Sequence, residues 1–331
     1  VSTLAPLGLP AIDPALEADI TSGLAAVEEM LRASVKSDYP FVTETSRHLV
    51  DAGGKRFRPL MVLLAAQFGD PSGSGVLPAA VVVELTHLAT LYHDDVMDEA
   101  ALRRGAVSAN SRWNNTIAIL TGDFLFSRAS DILADLGPDA VRIQARTFER
   151  LVHGQIRETV GPAEGVDPLA HYLQVVADKT ASLIATSARF GAMFAGVPEP
   201  VVDVLTRYGE RIGVAFQLSD DLLDVASEAD GFGKTPGTDL REGVSTLPVL
   251  HALRLEPERS RLRELLAGGL ADDSLHAEAL SLLRAHPAMD EARADLRSWA
   301  EEARSVLAPL PDVPAKDALA AMCDLVVTRT Y

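Results

Sequence analysis

The stretch from Pro78 to Arg104, PAAVVVELTHLATLYHDDVMDEAALRR, decides how the rest of the chain is read. Its first two-thirds are apolar at helical spacing with a proline near the start, which predicts a buried helix. The run then meets Asp94, Asp95 and Asp98. Residues four apart on a helix project from one face about a turn from each other, so the Asp94 and Asp98 carboxylates are expected side by side. A helix C-terminus carries the negative end of the dipole and favours cations, so acids placed there contradict the element that holds them. A divalent cation held by carboxylate oxygens is the partner that resolves the contradiction.

Around that stretch the composition bounds the class. The chain has 331 residues, 47% of them hydrophobic, ample for a full core. Its net charge of -17 excludes electrostatic binding of nucleic acid, and any anionic ligand must be met by locally placed Lys and Arg. A single cysteine, Cys323, excludes disulfides within the chain and cysteine metal sites, and fits a cytoplasmic location. No basic-then-apolar leader pattern opens the chain, and no uninterrupted apolar run approaches the roughly 18 residues of a span, so no transmembrane segment is expected. Aromatic residues are only 5%, and Ala and Leu recur three and four apart, so the fold is expected to be all-α. Lacking a linker or a short repeat, residues 1–331 read as one domain.

The predicted helices begin, after a loose apolar tail over 1–12, at Asp13-Pro14 and run to about Val35. A second covers Phe41 to Ala52 and stops at Gly53-Gly54, and Pro59 is expected at the first position of the next. Beyond an irregular segment from Asn110 to Asn115 come helices ending at Gly137, then from Asp139 to Val160, then a long one from Pro168 through Lys179 to about Ala195. The helix from Val201 to Ala226 ends in FQLSDDLLDV, where Asp220, Asp221 and Asp224 repeat the arrangement of Asp94, Asp95 and Asp98. A glycine-rich loop over 228–238, carrying Lys234, follows it.

One aspartate pair on a helix of an acidic protein is ordinarily a solvated face. Two copies, each closing an apolar helix, favour metal. Mg²⁺ held by few carboxylates completes its shell with phosphate oxygens, so the acids imply a phosphorylated substrate. Lys55, Arg56 and Arg58 lie in a glycine-rich turn ahead of a helix N-terminus, which suits an anion, and Arg103 and Arg104 follow the first aspartates. Each basic pair alone reads more readily as surface charge or a helix C-terminal cation, and only together with the aspartates does the anion reading prevail. His87, seven residues before Asp94, shares nearly its face two turns deeper; a lone histidine in an apolar stretch is ordinarily a hydrogen-bonded core residue, and His93 keeps that reading. Lys179-Thr180 interrupts an apolar helix and Gln217 sits one turn before the second cluster; buried polar groups of this kind need partners.

GGKRFRP at Gly53 to Pro59, HDDVMD with its following Arg-Arg, Lys179-Thr180, FQLSDDLLD and Gly233-Lys234 together resemble the trans-isoprenyl diphosphate synthases, the polyprenyl synthetase family, over nearly the whole chain. The resemblance implies the isoprenoid synthase fold, a helical bundle around a deep central cavity, usually as a homodimer, with the aspartate motifs facing each other at the cavity mouth. It implies that Asp94 and Asp98, supported by Asp95, bind Mg²⁺ and an allylic diphosphate, and that Asp220 with Asp221 and Asp224 completes a three-ion cluster. By the same resemblance Lys55, Arg58, His87 and Arg104 hold isopentenyl diphosphate. Arg103, Lys179 and Lys234 contact the allylic diphosphate, while Lys179, Thr180 and Gln217 serve the reacting carbons. The implied reaction is ionisation of the allylic C–O bond, attack by the isopentenyl double bond and loss of a proton, with the loop at 228–238 as a lid.

One departure stands out. Where family members often carry a lysine in EGKxTLP, this chain has Val244. Members that stop at short products place aromatics four and five residues before the first aspartate; here those positions are Thr90 and Ala89. Their small size implies a medium- to long-chain polyprenyl diphosphate, the alternatives being a geranylgeranyl product or a non-catalytic partner subunit. A terpene cyclase would lack the second aspartate motif and the basic site.

Overall fold

The computed structural model describes residues 13–227 and 236–329, so the expected tail over 1–12 and most of the expected lid, Lys234 included, lie outside the described residues. The all-α expectation holds. Sixteen α-helices and one two-stranded hairpin make up the described chain.

Local signals start the helices where sequence chemistry asks for them. Asp13 caps α1 (Pro14–Ser34), its carboxylate accepting from the N–H groups of Ala15 and Leu16, and Pro14 occupies the first turn. The buried side of α1, Leu16, Ile20, Val27 and Leu31, follows the helical period. Pro40 opens α2 (Pro40–Asp51). The next helix, α3 (Phe57–Ala66), starts two residues earlier than expected, with Phe57 at the first position and Pro59 at the third. Its N-cap, Arg56, takes a left-handed conformation.

Helix α4 (Val76–Met97) is the landmark helix, with no basic residue in its last turn and Asp98 as its C-cap. It is long and apolar enough to cross a membrane by length and composition alone, though Glu84 interrupts the apolar run; 67% of its most apolar window is buried among the other helices, as befits a core element. Beyond it a hairpin pairs β1 (Leu102–Arg103) with β2 (Ala106–Val107), antiparallel, Leu102 opposite Val107. Its two turn residues, Arg104 and Gly105, both have positive φ, the geometry a tight hairpin requires. Such a short hairpin leaves no alternating run to read.

The chain continues through α5 (Ala109–Arg112), α6 (Asn115–Leu136), α7 (Pro138–Val160) and α8 (Pro168–Val176). The single long helix expected from Pro168 is broken: a π-turn at Ala177–Ala181 separates α8 from α9 (Ser182–Phe194). Then come α10 (Glu199–Ala226), α11 (Thr238–Glu242), α12 (Leu247–Leu255), α13 (Arg261–Gly268), α14 (Asp273–Arg284), α15 (Ala288–Val306) and α16 (Pro314–Thr328).

These elements group into two compact units, each assembled from three separated stretches. Unit 1 takes residues up to Glu149, Leu183–Gly209 and Pro309–Ala321; unit 2 takes Arg150–Ser182, Glu210–Ala308 and the chain from Met322. In unit 1 α4 packs chiefly on α6, α3 and α1, and in unit 2 α12 packs on α15 and α8. Tyr92, fully buried on α4, ties that helix to α2 by donating to the Thr45 carbonyl and accepting from the Leu49 N–H. Burial pushes its hydroxyl pKa up, so it stays a donor. Tyr92→Phe is expected to remove the link between the helices while the Thr45 carbonyl and Leu49 N–H keep their i, i+4 partnership within α2, and so to cost about 0.5–1.5 kcal/mol, read as a lower urea midpoint; an unchanged midpoint would show the contact to be idle.

Candidate active site

The aspartate end of α4 is built over a buried anion. Glu84, 1% exposed, is the one charged residue of α4 before the aspartates. Its carboxylate accepts from Arg56 Nη1 at 2.8 Å and lies 3.9 Å from Arg104 Nη2. Arg56 is itself buried, pairs also with Glu28 and donates to the Val50 carbonyl, so it is a structural cation rather than part of an open anion site. Arg104 donates to the carbonyls of Leu49 and Gly53 at the end of α2. Gly54 is required beside it: with φ of +146° it lets the Arg104 guanidinium approach to 2.9 Å of where a Cβ would stand.

Arg58, in the first turn of α3, completes the group. Its Nε is buried without a hydrogen-bond partner, and burial pushes its guanidinium down to about 10, still cationic at neutral pH. Lys55 is exposed just before that helix. His87 is held well below its ordinary pKa, first by burial and then by Arg58, Arg104, Arg103 and Arg56, so it is neutral. The turn thus gathers an unpaired buried donor, exposed Lys55, carbonyl-anchored Arg104 and a neutral imidazole. That arrangement can accept several anionic oxygens.

The three aspartates differ in environment. Asp95 is fully buried, accepts from Arg103 Nε at 2.6 Å, and leaves Oδ2 buried and unpaired; burial raises its pKa. Asp94 is half-buried and Asp98 exposed. Among the described residues no three His, Cys, Asp or Glu side chains gather closely enough to hold a metal unaided. The donor set still fits Mg²⁺: it is all carboxylate oxygen, one of them orphaned, and a hard cation here would take its remaining ligands from water and phosphate.

In unit 2 the second motif is a hydrogen-bonded chain. Thr180 donates to Gln217 Oε1 at 3.0 Å, Gln217 Nε2 donates to Asp221 at 2.9 Å, and Tyr172 donates to the other Asp221 oxygen. Burial raises Asp221 to about 6, and burial beside that carboxylate drives Tyr172 well above its usual range. Arg329 reaches Asp220 at 3.0 Å and also donates to Ser219 and to the Phe216 carbonyl. Asp224 accepts from the N–H groups of Thr238 and Asp239. Lys179 pairs with Glu158 on α7. Of the cations expected to meet the allylic diphosphate, Arg103 and Lys179 therefore carry carboxylate partners.

The sequence reading missed Glu84, Glu28, Tyr172, Glu158 and Arg329. Glu84 alone had a signal, an isolated acid three residues before His87 in an apolar run. The others act across helices and leave no local pattern.

Of the two positions expected to set product length, Thr90 lies about 40° from Asp94 around α4 and Ala89 about 140° away. Ala89 shares its flank with His93, which reaches the Ile119 carbonyl of α6 at 3.1 Å, and it is fully buried. Val244 is 39% exposed and places no cation at that position.

A model of the polyprenyl synthetase family matches residues 39–283. The chain belongs to that family. It is 50% identical over 319 residues, 96% of this chain and 95% of the other, to the nonaprenyl diphosphate synthase of Mycobacterium tuberculosis. Among solved structures it resembles a geranylgeranyl pyrophosphate synthase of Corynebacterium glutamicum complexed with calcium and isoprenyl diphosphate (TM-score 0.86, 44% identity, 97% of this chain and 99% of that one). It also resembles a decaprenyl diphosphate synthase of Rhodobacter capsulatus (TM-score 0.87, 34% identity, 96% and 98%). As a polyprenyl synthetase the chain is a prenyl diphosphate synthase, a transferase with the isoprenoid synthase fold.

The neutral His87 carries a pH signature. Its folded pKa lies below the unfolded value of about 6.5, so the unfolded chain binds more protons there and stability falls as pH drops below about 6.5. Between pH 7.5 and 5.5 the wild type should lose more stability in urea titrations than His87→Gln. Equal losses would mean that His87 protonates freely in the folded chain.

Proposed function

We propose that this chain condenses an allylic diphosphate with isopentenyl diphosphate and repeats the step to a medium- or long-chain polyprenyl diphosphate. The buried, unpaired Nε of Arg58, set beside Arg104 and neutral His87 and within the field of Asp94, carries the reading, because an orphaned buried donor among cations calls for an anion. Lys55, Arg58, His87 and Arg104 bind the isopentenyl diphosphate. Asp94, Asp95 and Asp98, with Asp220, Asp221 and Asp224, hold Mg²⁺, three ions by family analogy. Bound there, Mg²⁺ supplies charge stabilisation for the departing diphosphate.

Arg103 and Lys179 exchange their carboxylate partners for diphosphate oxygens, and Lys234 joins them. As the allylic C–O bond ionises, Thr180 and Gln217, oriented by Asp221, present oxygen lone pairs to the developing cation. The isopentenyl double bond attacks, and the departing diphosphate takes the proton. No side-chain nucleophile is required. The two units act as one catalytic domain, which their interleaving in sequence supports. Exposed Ile119 and Leu120 on α6 are apolar surface that a second copy would cover in a homodimer, and a single, buried cysteine, Cys323, suits the cytoplasm.

Purified protein with Mg²⁺, isopentenyl diphosphate and an allylic primer should release diphosphate and form a ladder of prenyl chains, both abolished by chelator. No elongation with any primer overturns the proposal, and the non-catalytic-subunit reading then takes its place. Small Thr90 on the aspartate face favours a long product, as in the nonaprenyl relative. Thr90→Phe should shorten the chains; Ala89→Phe should do so at an added overpacking cost of about 1–3 kcal/mol, since that position is fully buried. Unchanged product lengths in both variants would remove Ala89 and Thr90 from the wall of the elongation path.

A further inference from the structure

The π-turn at Ala177–Ala181 holds Lys179 and Thr180 in its five residues. A π-turn inserts one residue into an otherwise regular helix and re-aims the side chains it contains, leaving the flanking faces in place. It is a costly local geometry that must be held by its surroundings. Two features of unit 2 hold it.

The first is a backbone contact. A Cβ on Gly154 of α7 would stand 2.6 Å from the backbone nitrogen of Lys179 and 3.1 Å from the carbonyl carbon of Asp178. Neither atom can swing aside as a side chain can, so only glycine lets α7 lie against the turn. The second is a buried carboxylate. Asp178, 7% exposed, accepts from Arg150 Nε at 3.2 Å and from Gln174 Nε2 at 2.9 Å, while Ser182 donates to its carbonyl at 2.6 Å. Arg150 is steadied in turn by Glu210 at 2.8 Å and reaches the Ala177 carbonyl. Arg150, Gly154 and Glu158 recur at four-residue spacing, so one face of α7 grips the turn three times: at the Asp178 carboxylate, at the Lys179 backbone and at the Lys179 ammonium.

We infer that Gly154 and Asp178 are positioning residues that fix the π-turn and thereby aim Lys179 at the allylic diphosphate and Thr180 at Gln217. The inference rests on the proposed role of Lys179. The test measures steady-state kinetics and thermal melting for Gly154→Ala, Asp178→Ala, Asp178→Asn and Lys179→Ala.

A shift of about 1 Å in a positioned group costs on the order of 10²-fold, so kcat/KM for the allylic substrate should fall about that far in Gly154→Ala and Asp178→Ala. KM for isopentenyl diphosphate, whose proposed cations lie in unit 1, should stay put. Asp178→Asn, which keeps an acceptor for Arg150, should recover most of the loss. Wild-type kinetics in the folded variants overturn the inference, as does a uniform loss in both KM values and in melting temperature that Asp178→Asn fails to rescue. If Gly154→Ala does not fold, the Asp178 pair decides alone. A Lys179→Ala enzyme with wild-type kinetics sinks the role assigned to Lys179. Loss in Lys179→Ala without loss in the Gly154 and Asp178 variants sinks only the positioning.

Discussion

Glu84 holds its negative charge out of water between Arg56 and Arg104, and the basic turn of unit 1 takes its shape from that pairing. Removing a carboxylate and its partners from solvent costs several kcal/mol per ion, recovered only when geometry is good and the remaining donors are satisfied. Arg56 meets that condition through Glu28, Glu84 and the Val50 carbonyl. Because Arg56 is neutralised within the protein, it stands apart from Lys55 and Arg58, its neighbours in sequence. The motif GGKRFRP therefore mixes two kinds of cation that only burial and pairing tell apart.

The same balance shapes the histidine. Burial first, and then Arg58, Arg104, Arg103 and Arg56, disfavour a proton on His87, so the imidazole offers one donor and one acceptor instead of a fifth positive charge. In unit 2 the logic runs the other way. Asp221 is buried among neutral donors, Tyr172 and Gln217, while Asp220 and Asp224 receive an arginine and two backbone N–H groups. Three carboxylates within five residues of sequence thus have three different kinds of partner.

Much of this was legible before the structure. Helical periodicity and proline or aspartate caps located α1, α2, α4 and α10, because those signals act within a few residues. The aspartate motifs could be read because they violate the dipole of their own helix. What escaped notice depends on contacts distant in sequence. Nothing in ADKTA announces a π-turn, since the groups packed against it, Arg150, Gly154 and Glu158, come from α7. The Arg104-Gly105 hairpin is too short to alternate. Glu158, Tyr172 and Arg329 belong to separate helices or their ends, and only folding brings them to Lys179 and the second aspartates.

The interleaving of the two units bears on how the protein is made. Unit 1 needs Pro309–Ala321 and unit 2 needs the residues from Met322 onward, so neither can close while a ribosome still holds that part of the chain. Domains commonly fold as units during synthesis, and nascent chains that wait for distant segments expose apolar surface meanwhile. Here the chain must emerge past Pro309–Ala321 before the core of unit 1 is complete, and past Met322 before that of unit 2. Helix α4, whose most apolar window is 67% buried in the finished fold, precedes Pro309–Ala321 in the chain and adds apolar surface to that wait.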